Sequence, residues 1–179
     1  MTKEPRYLTK EECRALLAQC PPHLYPIVLT ALNTGMRKGE LFNLMWEDVD
    51  FWKGIITVRN RKEFHTKNYE NRTIPMNDLL WRTLRELPQN STSLYVFENK
   101  SGRSYDDLKR SYHTAVKKAG LGHARFHDLR HTFASHLVMA GVDLRTVQAL
   151  MGHKTVQMTM RYSHLAPEGC RGQIGFWNT

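Results

Sequence analysis

The sequence predicts a mainly α-helical domain with a small antiparallel β-sheet, an α+β fold. Apolar residues recur at helical spacing along most of the 179 residues, which is typical of amphipathic helices packed on one core. Residues 48–76 differ, because the short runs at 55–58 and 72–75 are typical of paired strands. The chain has no internal repeat or low-complexity segment, and its length suits one domain with a sizeable core.

The N-terminal part is predicted to form three helices. Thr9 and Glu12 have the spacing of a capping box, which predicts the start of the first helix. Gly35 is predicted to end the second. Arg37 then stands at the entry of the third, where free backbone N–H groups favour an anion. Arg37 can also pair with Glu40 on the next turn, and a carboxylate there could orient the guanidinium from behind.

The two strand-like runs are predicted to form a sheet of two or three strands with a basic tip. Between them stand several polar and basic residues: Arg59, Arg61, Lys62, His65, Lys67 and Asn68. A run of this kind is most often a solvated hairpin. Lys67 stands out because it follows Arg37 along the chain and precedes a helix that begins with a His-Asp-Leu-Arg motif.

Two further helices are predicted before that motif. Asn77 can cap a helix that continues to Leu87. Ser104 is expected to start another helix, from which Lys109 and Lys117 project and could contact phosphates. Solvated lysines are an equally good interpretation of those two residues.

The helix that opens with the motif at 127–130 organises the C-terminal half. His127 and Arg130 are three residues apart, so they are neighbours beside the apolar stripe, where a rigid polar site can be built. A short helix is then expected to stop at Gly152. Thr155 is predicted to cap a last helix that carries Tyr162.

The overall charge favours a polyanionic partner. Lys and Arg total 26 against 17 Asp and Glu, a formal net charge of +9, and neutralising phosphates releases condensed counterions. Ribosomal and membrane-surface proteins share this property, so charge alone does not select DNA. No apolar run is long enough to cross a bilayer, and the first five residues do not resemble a secretory signal. The three cysteines form no Cys-x-x-Cys pair, so we expect no thiolate zinc site and a reducing, cytoplasmic setting.

Six residues have side chains that suit a phosphodiester: Arg37, Lys67, His127, Arg130, His153 and Tyr162. Arginine binds two phosphate oxygens at once and keeps its charge. A tyrosine is a nucleophile if nearby cations help it to lose its proton, and a lysine among cations can protonate an alkoxide leaving group. No cluster of Asp and Glu is placed to hold Mg²⁺, so we expect no cofactor, with charge neutralisation by the arginines.

In this order, the six residues resemble the tyrosine recombinase (phage integrase) family, from Thr9 to about Pro167. The resemblance implies the catalytic-domain fold of that family. It also implies that Arg37 and Arg130 clamp the scissile phosphate. Tyr162 would then attack it and form a 3′-phosphotyrosyl link to DNA.

The resemblance also implies roles for three further catalytic residues and for one supporting residue. Lys67 would protonate the leaving 5′ oxygen, and His127 would handle the tyrosine proton. His153 would hydrogen-bond to the phosphate. Glu40 matches an acidic family position that supports the first arginine.

Further DNA contacts are expected from basic residues outside this set: Arg59, Arg61, Lys62, Arg72, Lys109 and Lys117. The helix that carries Arg130 has two more histidines, His131 and His136. We interpret both as packing residues.

The resemblance implies double-stranded DNA target sites as partners and a homotetramer on DNA for a full-length protein. Family members usually carry a second, helical DNA-binding domain before the catalytic one. We expect residues 1–179 to form a single catalytic domain without that N-terminal domain. Glycines 169, 172 and 175 disfavour a helix, so the tail at 168–179 is expected to be irregular and a poor element for docking on a neighbouring subunit.

Two alternative functions remain open. A type IB topoisomerase shares this chemistry but lacks paired target sites. A non-catalytic basic DNA-binding module would leave Tyr162 inert. A histidine-dependent metal hydrolase is disfavoured, because the sequence has neither a His-Glu-x-x-His motif nor an acidic cluster.

Overall fold

The computed structural model describes residues 5–61, 71–89 and 93–168. The helices of these residues are α1 (Lys10–Gln19), α2 (Tyr25–Thr34), α3 (Lys38–Phe42), α4 (Asp78–Glu86), α5 (Lys109–Lys118), α6 (Phe126–Met139), α7 (Leu144–Met151) and α8 (Val156–Met160). The strands are β1 (Val49–Asp50), β2 (Ile55–Val58) and β3 (Arg72–Pro75). The predicted α+β class is confirmed.

The sheet is antiparallel, with strand order β1-β2-β3. Ile56 of β2 lies opposite Val49 on one side and Ile74 on the other, and all three are buried. The partner strands that were predicted at 55–58 and 72–75 are therefore confirmed, and a third strand extends the sheet.

Local capping chemistry sets several helix ends as predicted. Thr9 and Glu12 form a reciprocal capping box at the start of α1, and the Asn77 side chain accepts from the Leu80 amide at the start of α4. Gly35 ends α2 in the left-handed conformation, with φ of 62°. A Cβ at Gly35 would lie only 2.4 Å from the Phe133 ring, so glycine also allows α2 to approach α6 closely.

Two predicted helix boundaries are wrong. Ser104 does not start a helix, because it forms a β-bridge with Glu98 and α5 begins only at Lys109. Tyr162 does not lie on the last helix, because α8 ends at Met160. The Tyr162 amide instead donates to the Thr159 carbonyl at 3.0 Å, in a tighter turn that follows the helix.

Two groups of buried apolar side chains form the core. The larger cluster joins α1, α2, the sheet, α4, α5 and the start of α6. The smaller cluster joins the rest of α6 to α7 and to the turn after α8; its buried members are Phe133, Ala134, Val138, Leu144, Val147, Met151, Tyr162 and Ala166. Helix α6 therefore crosses from one cluster to the other. Within the described ranges, no helix is long and apolar enough to cross a membrane.

Candidate active site

Arg130 lies at the centre of the site, on the buried face of α6. Its side chain is held by two backbone carbonyls: Nη1 donates to Gly35 at the end of α2, and Nη2 donates to Met151 at the end of α7. Burial and the charge of Arg37 lower the pKa of Arg130 to about 9. The guanidinium therefore still carries its charge at neutral pH, in a residue that is only 4% exposed.

Arg37 is the residue that precedes α3, as predicted. Its Nη1 donates to Glu40 Oε1 at 3.1 Å, and its backbone amide donates to Glu40 Oε2 at 2.8 Å. Its Nη2 lies 3.5 Å from the carbonyl oxygen of Gly152. The predicted pairing of Arg37 with Glu40 is confirmed, and the carboxylate lies where it fixes the guanidinium.

Glu40 is buried and shared between two arginines. Arg72 approaches it in the bidentate manner, with Nη1 at 2.9 Å from Oε1 and Nη2 at 2.6 Å from Oε2. Burial by itself would raise the pKa of Glu40, but the hydrogen bonds and charges of Arg72 and Arg37 more than offset it and lower that pKa. The carboxylate is therefore ionised at neutral pH, and it is fully paired.

The placement of Arg72 differs from its predicted role as a DNA contact. All three of its guanidinium nitrogens bond within the protein, because Nε also donates to the Leu150 carbonyl at 2.8 Å. Its side chain is only 10% exposed. Arg72 thus supports Glu40 and the end of α7 from inside the fold.

The C-terminal end of α7 anchors all three arginines. The carbonyls of residues 150–152 accept in turn from Arg72, Arg130 and Arg37. These are carbonyls that a helix end leaves without intrahelical partners, and they lie at the negative pole of the helix dipole. Gly152 makes the approach possible, since it has φ of 62° and a Cβ there would lie 3.0 Å from Arg72 Nη1.

His153 follows directly after this helix end. Its Nδ1 lies 2.8 Å from the Thr159 hydroxyl, which fixes the ring against α8. Burial, followed by the positive charges of Arg130 and Arg37, lowers the pKa of His153 to about 3. The ring is therefore neutral at pH 7.

Tyr162 lies inside the smaller cluster and is 1% exposed. Its hydroxyl oxygen is 2.5 Å from Nδ1 of His131. Burial raises the pKa of Tyr162, although the charges of Arg161 and Arg130 act in the opposite direction. Burial and the neighbouring His127 lower the pKa of His131 to about 4.

The contact with Tyr162 gives His131 more than the packing role that the sequence suggested. His131 immediately follows Arg130 and is one helical turn after His127, and the rings of His127 and His131 meet edge to face at 4.9 Å. The four-residue spacing of His127 and His131 is the feature of the sequence that could have indicated this role. His136, by contrast, bonds to the Leu8 carbonyl at 2.8 Å, which agrees with a packing role.

His127 is more exposed than the other site histidine on α6. Burial and the charge of Arg130 lower its pKa. The nearest aromatic contact of its ring is with His131. The structure thus brings His127, Arg130, His131 and Tyr162 into one connected group.

The remaining predicted residues lie around this centre. Lys62 and Lys67 fall outside the described residues. Lys109 and Lys117 are exposed on α5. Within the described ranges, no group of three His, Cys, Asp or Glu side chains could hold a metal ion.

Arg59 and Arg61 are already paired with acidic side chains. Both reach the buried carboxylate of Asp48, at 2.9 and 2.7 Å, and Arg61 also contacts Glu47 at 2.6 Å. They are expected to contribute less to DNA contact than the exposed lysines of α5.

The site thus combines two guanidiniums, the buried one of Arg130 and the partly buried one of Arg37, with a neutral imidazole and a phenol. Rigid N–H donors of this kind suit an anion with several acceptor oxygens, because they are oriented before the anion arrives. The phenol adds a group that can form a covalent bond.

The comparisons with known proteins agree on one family. The model of the phage integrase family matches residues 6–168. The integrase of Salmonella phage P22 is 30% identical over 177 residues, which cover 92% of this chain and 45% of that protein. Tyrosine recombinase XerA of Pyrococcus furiosus is 34% identical over 171 residues, which cover 90% of this chain and 58% of that protein. The chain spans about half the length of the curated relatives it matches.

Solved structures of recombinases and integrases have the same fold as this chain. The catalytic domain of bacteriophage HP1 integrase superposes with a TM-score of 0.74 at 33% identity, over 97% of this chain and 95% of that one. XerA recombinase superposes with a TM-score of 0.79 at 29% identity, over all of this chain and 67% of that one. The integrase of transposon Tn1549, solved with circular intermediate DNA, has a TM-score of 0.76 at 24% identity and shares the fold.

Proposed function

Because the chain belongs to the phage integrase family, we propose that it is the catalytic part of a site-specific DNA recombinase. In the proposed reaction, the Tyr162 oxygen attacks the phosphorus of a DNA phosphodiester. The new O–P bond leaves the DNA joined to the protein by a 3′-phosphotyrosyl link, and the 5′ oxygen departs with a proton. Attack on this link by the 5′ hydroxyl of another strand reverses the step and rejoins the DNA.

One observation supports this proposal most strongly: the end of α7 and Glu40 bond to Arg37 and Arg130, and Tyr162 lies in the adjoining smaller cluster. Acceptors of the protein itself orient both guanidiniums, so a phosphate that enters meets donors that need not reorganise. Preorganised donors are worth most where charge develops in the transition state. Burial raises the pKa of Tyr162, but Arg161 and Arg130 act in the opposite direction, which supports a phosphate bound between Arg130 and Tyr162.

The histidines have proposed roles that follow from their neutral state. When the Thr159 hydroxyl donates to His153 Nδ1, the ring proton is on Nε2 and can hydrogen-bond to a phosphate oxygen. His127 is proposed to take part in handling the tyrosine proton. Support for this role comes from its contact with His131, the ring that touches Tyr162.

The other proposed roles rest on the family resemblance and on charge. Lys67 is proposed to protonate the 5′ oxygen. Lys62, Lys109 and Lys117 are proposed to contact the DNA backbone, in line with the net charge of +9. A full-length protein is proposed to assemble as a tetramer on paired target sites.

A covalent trapping experiment tests the function. The chain is incubated with fragmented DNA that carries nicks, so that a short cleaved strand diffuses away and the phosphotyrosyl link persists. We expect a denaturant-resistant protein–DNA complex, formed equally well with and without EDTA. Loss of the complex on chelation would contradict the metal-free chemistry, and no complex at all would favour a non-catalytic DNA-binding module.

The DNA trapped in that experiment separates the remaining alternative. Sequencing the fragments is expected to yield a shared site, because a site-specific recombinase acts at paired targets. Relaxation of a supercoiled plasmid without such a site, and no exchange between two sites, would instead indicate a type IB topoisomerase.

A further inference from the structure

We propose that His131 accepts the phenol proton at its Nδ1 atom when Tyr162 attacks DNA, an inference that rests on the proposed function. The resemblance to the family implies that His127 handles the tyrosine proton. The contacts of the two histidines distinguish them, and they favour His131 as the first acceptor.

The hydrogen-bond geometry fixes the direction of transfer. The Tyr162 oxygen lies 2.5 Å from His131 Nδ1, in a contact where the tyrosine is 1% and the histidine 8% exposed. A phenol is protonated at neutral pH and therefore donates its O–H. Nδ1 then accepts, and the ring proton of His131 is on Nε2.

The charges around His131 keep this acceptor unprotonated before DNA binds. Burial is the largest cause that lowers the pKa of His131, and the positive charges of His127, Arg161 and Arg130 lower it further. The charge of Asp128 acts in the opposite direction, and the resulting pKa is about 4. A bound phosphodiester adds a negative charge beside Arg130, which opposes these cations and raises the basicity of His131. The free base is thus ready, and its proton affinity increases when the substrate arrives.

The step balances without an added reagent. The O–H bond of Tyr162 breaks, and its proton goes to His131 Nδ1. The electron pair left on the phenol oxygen forms the O–P bond, while the bond from phosphorus to the 5′ oxygen breaks. That oxygen takes a proton from the general acid, which is Lys67 in the proposed function.

The residues on either side of His131 fix its position relative to Tyr162. It follows Arg130, whose guanidinium is bonded to the ends of both α2 and α7. The next residue, Thr132, donates to the Asp128 carbonyl at 2.7 Å and accepts from the Leu8 amide at 3.0 Å. His131 therefore lies between two anchored neighbours in the middle of α6. His127 is exposed at the helix start, where it contacts the His131 ring.

The test compares His131→Asn with His136→Asn on a DNA substrate whose 5′ bridging oxygen is replaced by sulfur. A thiolate leaves without protonation, so the rate depends on the attack by Tyr162 and on the loss of its proton. Asn keeps an acceptor near the Nδ1 position but cannot take up a proton. His136 is a matched control, since it is on the same helix and bonds to the Leu8 carbonyl.

For His131→Asn, we expect adduct formation to be slower by about 100-fold, the scale of general base catalysis. Its rate should also increase about tenfold per pH unit from about pH 6 to about pH 9, because the proton must leave with hydroxide. Wild type and His136→Asn should show a much flatter profile. Because the slope does not depend on the fraction of folded protein, it identifies proton acceptance even if the variant is less stable.

A flat pH profile in His131→Asn would overturn the inference, whether the rate is normal or uniformly reduced, because a packing role changes the rate and not its slope. His131→Ala gives a second measurement: imidazole added to it should restore adduct formation in proportion to its free base, and an imidazole-independent rate would contradict the assignment. Absence of an adduct in wild type and His136→Asn would instead contradict the proposed function itself.

Discussion

The two sides of the candidate site are built in different ways. On one side, the buried carboxylate of Glu40 pairs with Arg37 and Arg72, which are partly buried, at the edge of the larger cluster; we call it the cation side. On the other side, His153 and Tyr162 are carried by α7, α8 and the turn after them, on the smaller cluster; we call it the nucleophile side. Helix α6 joins the two through Arg130 and His131.

The difference suggests which side is fixed and which side moves. On the cation side, Glu40 is bonded to both Arg37 and Arg72, and these ion pairs set the geometry before DNA binds. The nucleophile side relies on two helices of eight and five residues and a small apolar cluster, and such regions open at lower free energy than the main core. Tyr162, which is 1% exposed, is packed within this less extensive cluster.

The largest expected effect comes from removing the nucleophile alone. Tyr162→Phe keeps the ring in the smaller cluster and deletes the hydroxyl, so adduct formation should fall below detection. DNA affinity should stay within about twofold, because backbone contacts dominate affinity. The measurement pairs covalent trapping with DNA binding by fluorescence anisotropy. An adduct formed by this variant would place the nucleophile elsewhere.

The second effect changes the cation side and leaves the nucleophile intact. Arg37→Lys and Arg130→Lys keep the charge but lose the two-pronged geometry, and adduct formation should slow by about 100-fold or more in each. Arg72→Lys is the internal comparison: it weakens the bond to Glu40, so its defect should come mainly through stability. Rates near wild type in either of the first two variants would remove that arginine from the site.

A third effect compares the two clusters directly. Leu80→Ala in the larger cluster and Leu144→Ala in the smaller one each delete a buried side chain, which typically costs about 2–5 kcal/mol. Hydrogen exchange should show that Leu80→Ala lowers protection throughout, whereas Leu144→Ala lowers it mainly in residues 144–168. The exposed Leu94→Ala is a control. Equal loss across the chain in both variants would mean that the two sides unfold together.

The smallest effect concerns pH. His131 and His153 have pKa values of about 4 and about 3 in the fold, below the usual 6.5. Their contribution to stability is therefore present above about pH 6.5 and decreases as the pH falls toward those values. The pKa of Glu40 is lowered from its usual 4.5, so the cation side keeps its ion pairs through the first part of this acidification, from about pH 6.5 to about pH 4.5. Exchange in residues 144–168 should increase first on acidification, and earlier loss of protection in α2 and α3 would contradict this order.

The sequence predicted what local chemistry controls. The capping box at Thr9 and the left-handed end of α2 at Gly35 depend on residues a few positions apart, and both are confirmed. The short β-branched run at 55–58 and the partner run at 72–75 identified the two longer strands of the sheet. The start of α5 was missed because Ser104 pairs with Glu98, a contact that helical spacing does not reveal.

The parts that could not be predicted depend on contacts across the chain. Arg72 turns inward because Glu40, 32 positions earlier, and the end of α7, 78 positions later, supply its acceptors. The tyrosine contact of His131 spans 31 positions and depends on how the turn after α8 packs on α6. Residue type and order therefore identified the candidate site, whereas the contacts that support its residues are seen only in the folded structure.

The most direct test of the account is to identify the residue that carries DNA. The trapped complex is digested with nuclease and protease, and the modified peptide is analysed by tandem mass spectrometry. We expect a nucleotide linked through its 3′ phosphate to the Tyr162 oxygen. A nucleotide on any other side chain, or a link through a 5′ phosphate, would contradict it.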